Sequence, residues 1–204
     1  MTLERDVFNA IADRLVVKCD DLALLTWTWA GFEEWLNAEA YLACCHRWGF
    51  HNVTCRPRYS AWTNGRAGGS GDLAVERAGG GSVFSEIKLI HDGWFSENAL
   101  FDMQPGQLEQ QSARAEDALS QDAQKLAAPF ARETARLQIV AISTLECLEI
   151  EKSANWRKVF ARVTQWNRPT DLIRMASLLV ENRPGQFIAK AWTVQACEGQ
   201  VLTR

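Results

Sequence analysis

This chain of 204 residues has only three histidines, and its six cysteines include no Cys-x-x-Cys spacing. A structural zinc site therefore has weak support. Cys45, His46, His51 and Cys55 cluster in sequence and could bind a metal, but buried thiols account for them as well. Long apolar runs are also missing. The longest, Leu22 to Phe32, is too short to cross a bilayer, and the charged start Met1-Thr2-Leu3-Glu4-Arg5-Asp6 has no signal-peptide core. The expectation is a cytoplasmic protein in a reducing compartment, with no membrane partner. Positive charge is not in excess either: 22 Lys and Arg face 25 Asp and Glu, for a net charge of −3. No global basic field draws nucleic acid, so any such contact must come from a local patch. Arg47, Arg56, Arg58 and Arg66 form one candidate; a solvated strand edge and loop is the plain alternative. Internal repeats and low-complexity tracts are absent.

What is present is ordinary for a globular protein, with 47% hydrophobic and 23% charged residues. The nine tryptophans are numerous. Trp27, Trp29, Trp62 and Trp94 lie near the elements described below and suit packing or base stacking. The length fits one domain over 1–204, with an N-terminal helical extension at 1–28, a core at 30–145, and C-terminal helices and a strand at 146–204. Leu3, Val7, Phe8, Ile11 and Leu15 predict a helix over 3–17, which Asp20-Asp21 should end. A second helix is expected from Gly31 to Arg47, a strand around 52–58, and a glycine-rich loop over 63–71. Residues 91–104 read as irregular. Pro105 suits a first helical position and opens a polar helix to Leu126. Leu137 to Leu145 reads as a buried strand, 155–166 and 170–181 as helices, and Phe187 to Ala196 as a last strand. This order predicts an α/β fold with a mixed central β-sheet flanked by helices.

The segment Gly71 to Leu89 carries the chemistry. Two strand-like runs flank Arg77-Ala78-Gly79-Gly80-Gly81, which is a hairpin signal. Centred on Gly79, the hairpin sets Leu73 and Val75 opposite Ser85 and Val83, and Asp72 opposite Glu86. Alternation puts Lys88 on the face of Glu86, and gathers Leu73, Val75, Val83, Ile87 and Leu89 on a core face. Asp72 and Glu86 at one level of a sheet could hold Mg²⁺ or Mn²⁺ through oxygen, with the Ile87 carbonyl as a further ligand. Such an ion polarises a phosphoryl oxygen and lowers the pKa of a bound water, while Lys88 could orient that water or offset developing charge. A solvated hairpin face with a salt bridge is the bland alternative.

Asp72 followed by Glu86-Ile87-Lys88 resembles the PD-(D/E)xK motif of the restriction-endonuclease-like nucleases, with Gly71 where that motif has proline. The resemblance covers roughly residues 30–130. It implies a restriction-endonuclease-like core and a divalent-metal-dependent nuclease that hydrolyses DNA phosphodiester bonds. It also implies a preceding helix that supplies another acid. Glu39 lies inside the apolar stripe of Phe32, Trp35, Leu36, Leu42 and Ala43, so it is expected to be the helix carboxylate, as catalytic residue or metal ligand. Glu33 and Glu34 are expected to be solvated at the helix start. A snorkelling acid at the stripe's margin is the alternative for Glu39. Gln107 and Gln111 share one face of the following helix and either reach the site or form a plain helix surface. The strand run Asn52 to Arg58 lacks the acid that some members carry there. DNA is the expected partner, with a homodimer or a protein partner open. A catalytically silent domain of the same fold, used to bind DNA or protein, is the alternative function.

Overall fold

The computed structural model describes residues 2–28, 32–63, 68–91, 105–130, 134–144, 173–174 and 186–194. In chain order these form α1 (Leu3–Val17), α2 (Cys19–Thr28), α3 (Glu33–Trp48), β1 (Val53–Cys55), α4 (Tyr59–Trp62), β2 (Leu73–Glu76), β3 (Ser82–His91), α5 (Pro105–Ala127), β4 (Ala135–Thr144), β5 (Ile173–Arg174) and β6 (Gln186–Thr193). A short 3₁₀ turn at Phe50–Asn52 links α3 to β1.

The strands make one mixed sheet in the order β1-β2-β3-β4-β6-β5. Among the described strands, only the central β3–β4 pair is parallel, and α5 lies in its crossover. The other neighbours run antiparallel. The hairpin register places Leu73 opposite Ser85 and Val75 opposite Val83, as its sequence symmetry about Gly79 predicts. Arg77 and Gly81 close the turn through the Arg77 N–H, and Gly79, Gly80 and Gly81 all take positive φ there.

Helices cover both faces. On one face, Val7, Phe8, Ile11 and Leu15 of α1 and Leu36, Ala40 and Cys44 of α3 form a buried cluster with Leu73, Val75, Val83, Ile87 and Ile139 of the sheet. The segment expected as an N-terminal extension thus supplies core side chains. On the other face, Leu119 and Leu126 of α5 and Tyr59 of α4 pack with Ala74, Phe84, Ile90, Val140 and Ile142. A sheet buried on both sides carries apolar residues on both strand faces, as β3 and β4 do.

Two expectations need correction. The first helix ends at Val17 as expected, but the break falls at Lys18: Asp20 and Asp21 occupy the first turn of α2, where carboxylates face the positive end of the helix dipole. The helix expected over 170–181 contains Ile173–Arg174, which instead pair with Ala191 and Lys190 of β6. Tertiary pairing overrides local periodicity there. The helix expected over 155–166 lies outside the described residues, as do 92–104 and 64–67 of the segments expected to be irregular.

Candidate active site

The site arises where two strands of unequal length part. β2 pairs with β3 only as far as Leu73 and Ser85, while β3 runs on to His91. The next N–H groups on that side of β3 belong to Ile87 and Leu89, and among the described residues they have no strand to donate to. A buried N–H needs an acceptor. Asp72, one residue before β2, accepts from the Ile87 N–H through Oδ2 at 2.7 Å. Glu33, at the start of α3, accepts from the Leu89 N–H through Oε2 at 3.1 Å. Two carboxylates thus replace the missing strand. Asn37, one helical turn after Glu33, donates from Nδ2 to Asp72 Oδ1 at 3.2 Å and fixes the second oxygen.

Glu86 projects from β3 beside Asp72 and is only 5% exposed. The Tyr59 hydroxyl donates to Glu86 Oε1 at 2.6 Å. Backbone pairing delivers Tyr59 to this point. The Gly71 N–H donates to the Pro57 carbonyl at 2.9 Å and the Tyr59 N–H to the Gly69 carbonyl at 3.1 Å, with Arg58 bridged to Ser70 between them. The Tyr59 ring then packs against Phe84 at a centroid distance of 4.6 Å, tilted by 48°.

Burial, then the Asp72 charge, pushes the Glu86 carboxyl up to about 9 from an ordinary 4.5. Burial also raises Asp72, partly offset by the Ile87 N–H and by a hydrogen bond from the Glu86 carboxyl. At neutral pH the pair therefore retains a proton, centred on Glu86, the more strongly raised of the two carboxyls. Tyr59 is raised well above its ordinary range, by burial first and then by Glu86, and stays a donor. Among the described residues, neither Asp72 nor Glu86 has an ion-pair partner.

Lys88 lies at this edge, but its ammonium is engaged: Nζ meets Glu33 Oε1 at 3.0 Å. Across the sheet, α5 brings Asp122 and Lys125, joined at 2.7 Å. The anchor is Gln138, the register partner of Glu86 on β4, which donates from Nε2 to the Leu119 carbonyl at 3.0 Å.

The structure places Glu39, expected as the helix carboxylate, away from Asp72 and Glu86. It is buried against α1, where Arg14 Nε meets its Oε2 at 2.6 Å. The apolar stripe that contains it, with Leu36, Ala40, Ala43 and Cys44, turns toward α1 and the sheet face rather than toward the strand end. Its partner is thus a cation on the neighbouring helix. The expectation that Glu33 is solvated is likewise corrected, since it bonds Lys88 and the Leu89 N–H. Glu34 is exposed and pairs with exposed Arg56.

The remaining candidates are less closely tied to the site. The Ile87 carbonyl lies along the same strand edge as its N–H. Arg56 and Arg58 are exposed; the Arg56 N–H donates to the Asp72 carbonyl, Arg58 is bridged to Ser70, and Arg56 takes a positive φ of 50° as the chain leaves β1. Arg66 lies outside the described residues. Gln107 and Gln111 fall in α5, but their side chains lie outside the description. Arg47 sits over the Trp48 ring at 5.6 Å, and Trp62 meets Phe84 edge-on at 5.5 Å. Among the described residues, no three or more His, Cys, Asp or Glu side chains are arranged to hold a metal, Cys45, His46, His51 and Cys55 included.

No family model, no curated protein and no solved structure matches this chain. Among the described residues, no helix is long and apolar enough to cross a membrane.

Sequence reasoning missed Tyr59, Asn37, Asp122 and Lys125. Asn37 had a usable signal, because it stands four residues after Glu33 on one helix face. Asp122 and Lys125 stand near Leu119 and Leu126 in the thin apolar stripe of α5, which faces the sheet. Tyr59 had no local signal: its role depends on the pairing of 57–59 with 69–71.

Proposed function

We propose that this chain is a divalent-metal-dependent nuclease with a restriction-endonuclease-like core that hydrolyses DNA phosphodiester bonds. The supporting observation is the Asp72–Glu86 pair, two carboxyl groups side by side and largely buried, with no cation paired to either among the described residues. Their hard oxygens suit Mg²⁺ or Mn²⁺. Raised carboxyls are what such a site shows when no cation offsets their charge. Asp72, Glu86 and the Ile87 carbonyl would hold the ion, and waters would complete its shell, because the other acids nearby among the described residues, Glu33 and Asp122, are each tied to a lysine.

When bound, the ion supplies an acidified water and a polarised phosphoryl oxygen. The protein's own groups do the positioning. Asn37 and the Ile87 N–H hold both oxygens of Asp72, and Tyr59 holds one oxygen of Glu86. Lys88 keeps donors beyond the one that meets Glu33, and with them it orients the attacking water and offsets charge building on phosphorus. The water oxygen bonds to phosphorus as one ester P–O bond breaks. The departing oxygen takes a proton and leaves as an alcohol.

A second reading has one observation in its favour: Glu33 already neutralises Lys88, as would suit a catalytically silent domain that binds DNA or protein. Cleavage of plasmid, linear duplex and single-stranded DNA with Mg²⁺, Mn²⁺ or EDTA separates the two. Nuclease function predicts metal-dependent cutting that Asp72→Ala and Lys88→Ala abolish in folded protein. Cutting that survives Asp72→Ala sinks the assignment, and binding without cutting favours the silent domain.

A further inference from the structure

The ion pair on α5 is built differently from a surface pair. Lys18 and Asp21 are also three residues apart on the surface, and there the acid is 51% exposed. Asp122 is only 13% exposed, and it is close enough to raise the Glu86, Asp72 and Tyr59 groups. It is a partly buried acid near two further acids, an arrangement that favours a cation beside them. Lys125 is that cation. Its side chain is 42% exposed, so Asp122 takes one of its three N–H donors and others remain toward solvent. Partial burial works against its charge. The Asp122 hydrogen bond and the Glu86 and Asp72 carboxylates outweigh that and lift it above its ordinary value.

The site therefore has a lysine on each wall. Lys88 reaches toward α3 and is held by Glu33, while Lys125 stands on α5 and is held by Asp122. A phosphodiester approaching Asp72 and Glu86 meets mainly negative charge, and a fixed ammonium on the α5 side lowers that barrier. We infer that Lys125 contacts a backbone phosphate of the bound nucleic acid beside the carboxylate pair. Asp122 acts through it, as a positioning residue. This rests on the nuclease reading for the identity of the ligand, but binding alone can test it.

The test uses the full chain and a short DNA duplex, titrated in Ca²⁺ over a range of salt concentrations, for wild type, Lys125→Gln, Lys125→Met and Lys125→Arg. Lys125→Met retains most of the packed stem if the glutamine variant folds poorly. The neutral variants should weaken binding about tenfold and flatten the salt slope by about one contact, and arginine should restore both. Unchanged affinity and slope in a folded neutral variant overturns the inference, as does a wild type that binds no DNA. A wild type that binds with the expected Lys125 dependence, yet cuts nothing in Mg²⁺ or Mn²⁺, defeats the nuclease reading and leaves the phosphate contact standing.

Discussion

Replacing Glu86 by glutamine should make the metal-free protein more stable at neutral and alkaline pH, and should remove most of its pH dependence in that range. Glu86 rises from 4.5 to about 9 on folding, through burial first and the Asp72 carboxylate second. Between those values the folded chain holds a proton that the unfolded chain has released. Stability from this group is thus fully present below about pH 4.5 and is lost as pH rises through about 9. Each pH unit inside the window removes about 1.4 kcal/mol. From pH 5 to pH 8 the loss reaches about 4 kcal/mol at most, and water reaching the half-buried Asp72 beside it reduces this to about 2–4 kcal/mol. For a chain of this size that is roughly 5–15 °C in Tm.

Glutamine keeps the geometry, since its Oε1 still accepts from Tyr59 and its amide can donate to Asp72. Urea unfolding in EDTA at several pH values reads the difference directly. The wild-type midpoint should fall steadily from pH 5 to pH 8.5, while the Glu86→Gln midpoint stays nearly flat and lies higher at pH 8. Parallel curves for the two proteins would refute the assignment of the raised carboxyl to Glu86.

Three further outcomes are expected. Gly71→Ala should destabilise the fold by about 1–3 kcal/mol in thermal melts, because a Cβ there would collide with the Phe84 ring; Phe84→Leu should recover part of the loss, and a neutral Gly71→Ala would show that the ring moves freely. Glu33→Gln should impair metal-dependent cutting by tenfold or more, while Glu39→Gln should leave kcat near wild type and lower stability by about 1 kcal/mol through loss of the Arg14 pair; the reverse ranking would return Glu39 to the site. Mn²⁺ binding at pH 7 should release close to one proton, measured by calorimetry in buffers of different ionisation enthalpy; release near zero would mean that Glu86 is not a ligand.

The sequence revealed the strands better than it revealed the partners of their side chains. Symmetry about Gly79 is a local property, and a glycine turn with apolar alternation on both sides admits few registers. It therefore placed Leu73 opposite Ser85 correctly. The choice between Glu33 and Glu39 was different. Both are acids on one helix, and the deciding fact is where Arg14 and the splayed end of β3 lie around that helix. An acid inside an apolar stripe does signal a buried partner, but the partner here is a cation on α1. Gly71 also reads differently with the fold in view. A proline there would lose the N–H that holds Pro57 and would crowd Phe84, so the glycine follows from the packing that delivers Tyr59 to Glu86.

The charge count at the site links its stability to the proposed chemistry. Asp72, Glu86, Glu33 and Asp122 converge on it, against Lys88 and Lys125. Each lysine is matched to one acid, Lys88 to Glu33 and Lys125 to Asp122, which leaves Asp72 and Glu86 uncompensated. The metal-free fold resolves the excess by retaining a proton on Glu86, at a cost that grows with pH. On the nuclease reading, a divalent cation supplies the two missing charges and makes the ionised form of Glu86 the favoured one. The same burial that opposes ionisation also keeps the pair from being satisfied by bulk water, so on that reading selectivity for a small doubly charged ion and instability in its absence would have one physical origin. Neutralising Lys88 or Lys125 would upset this balance in the same sense as raising the pH. On the nuclease reading the two lysines would therefore set how strongly the pair demands a cation, in addition to any contact they make with phosphate.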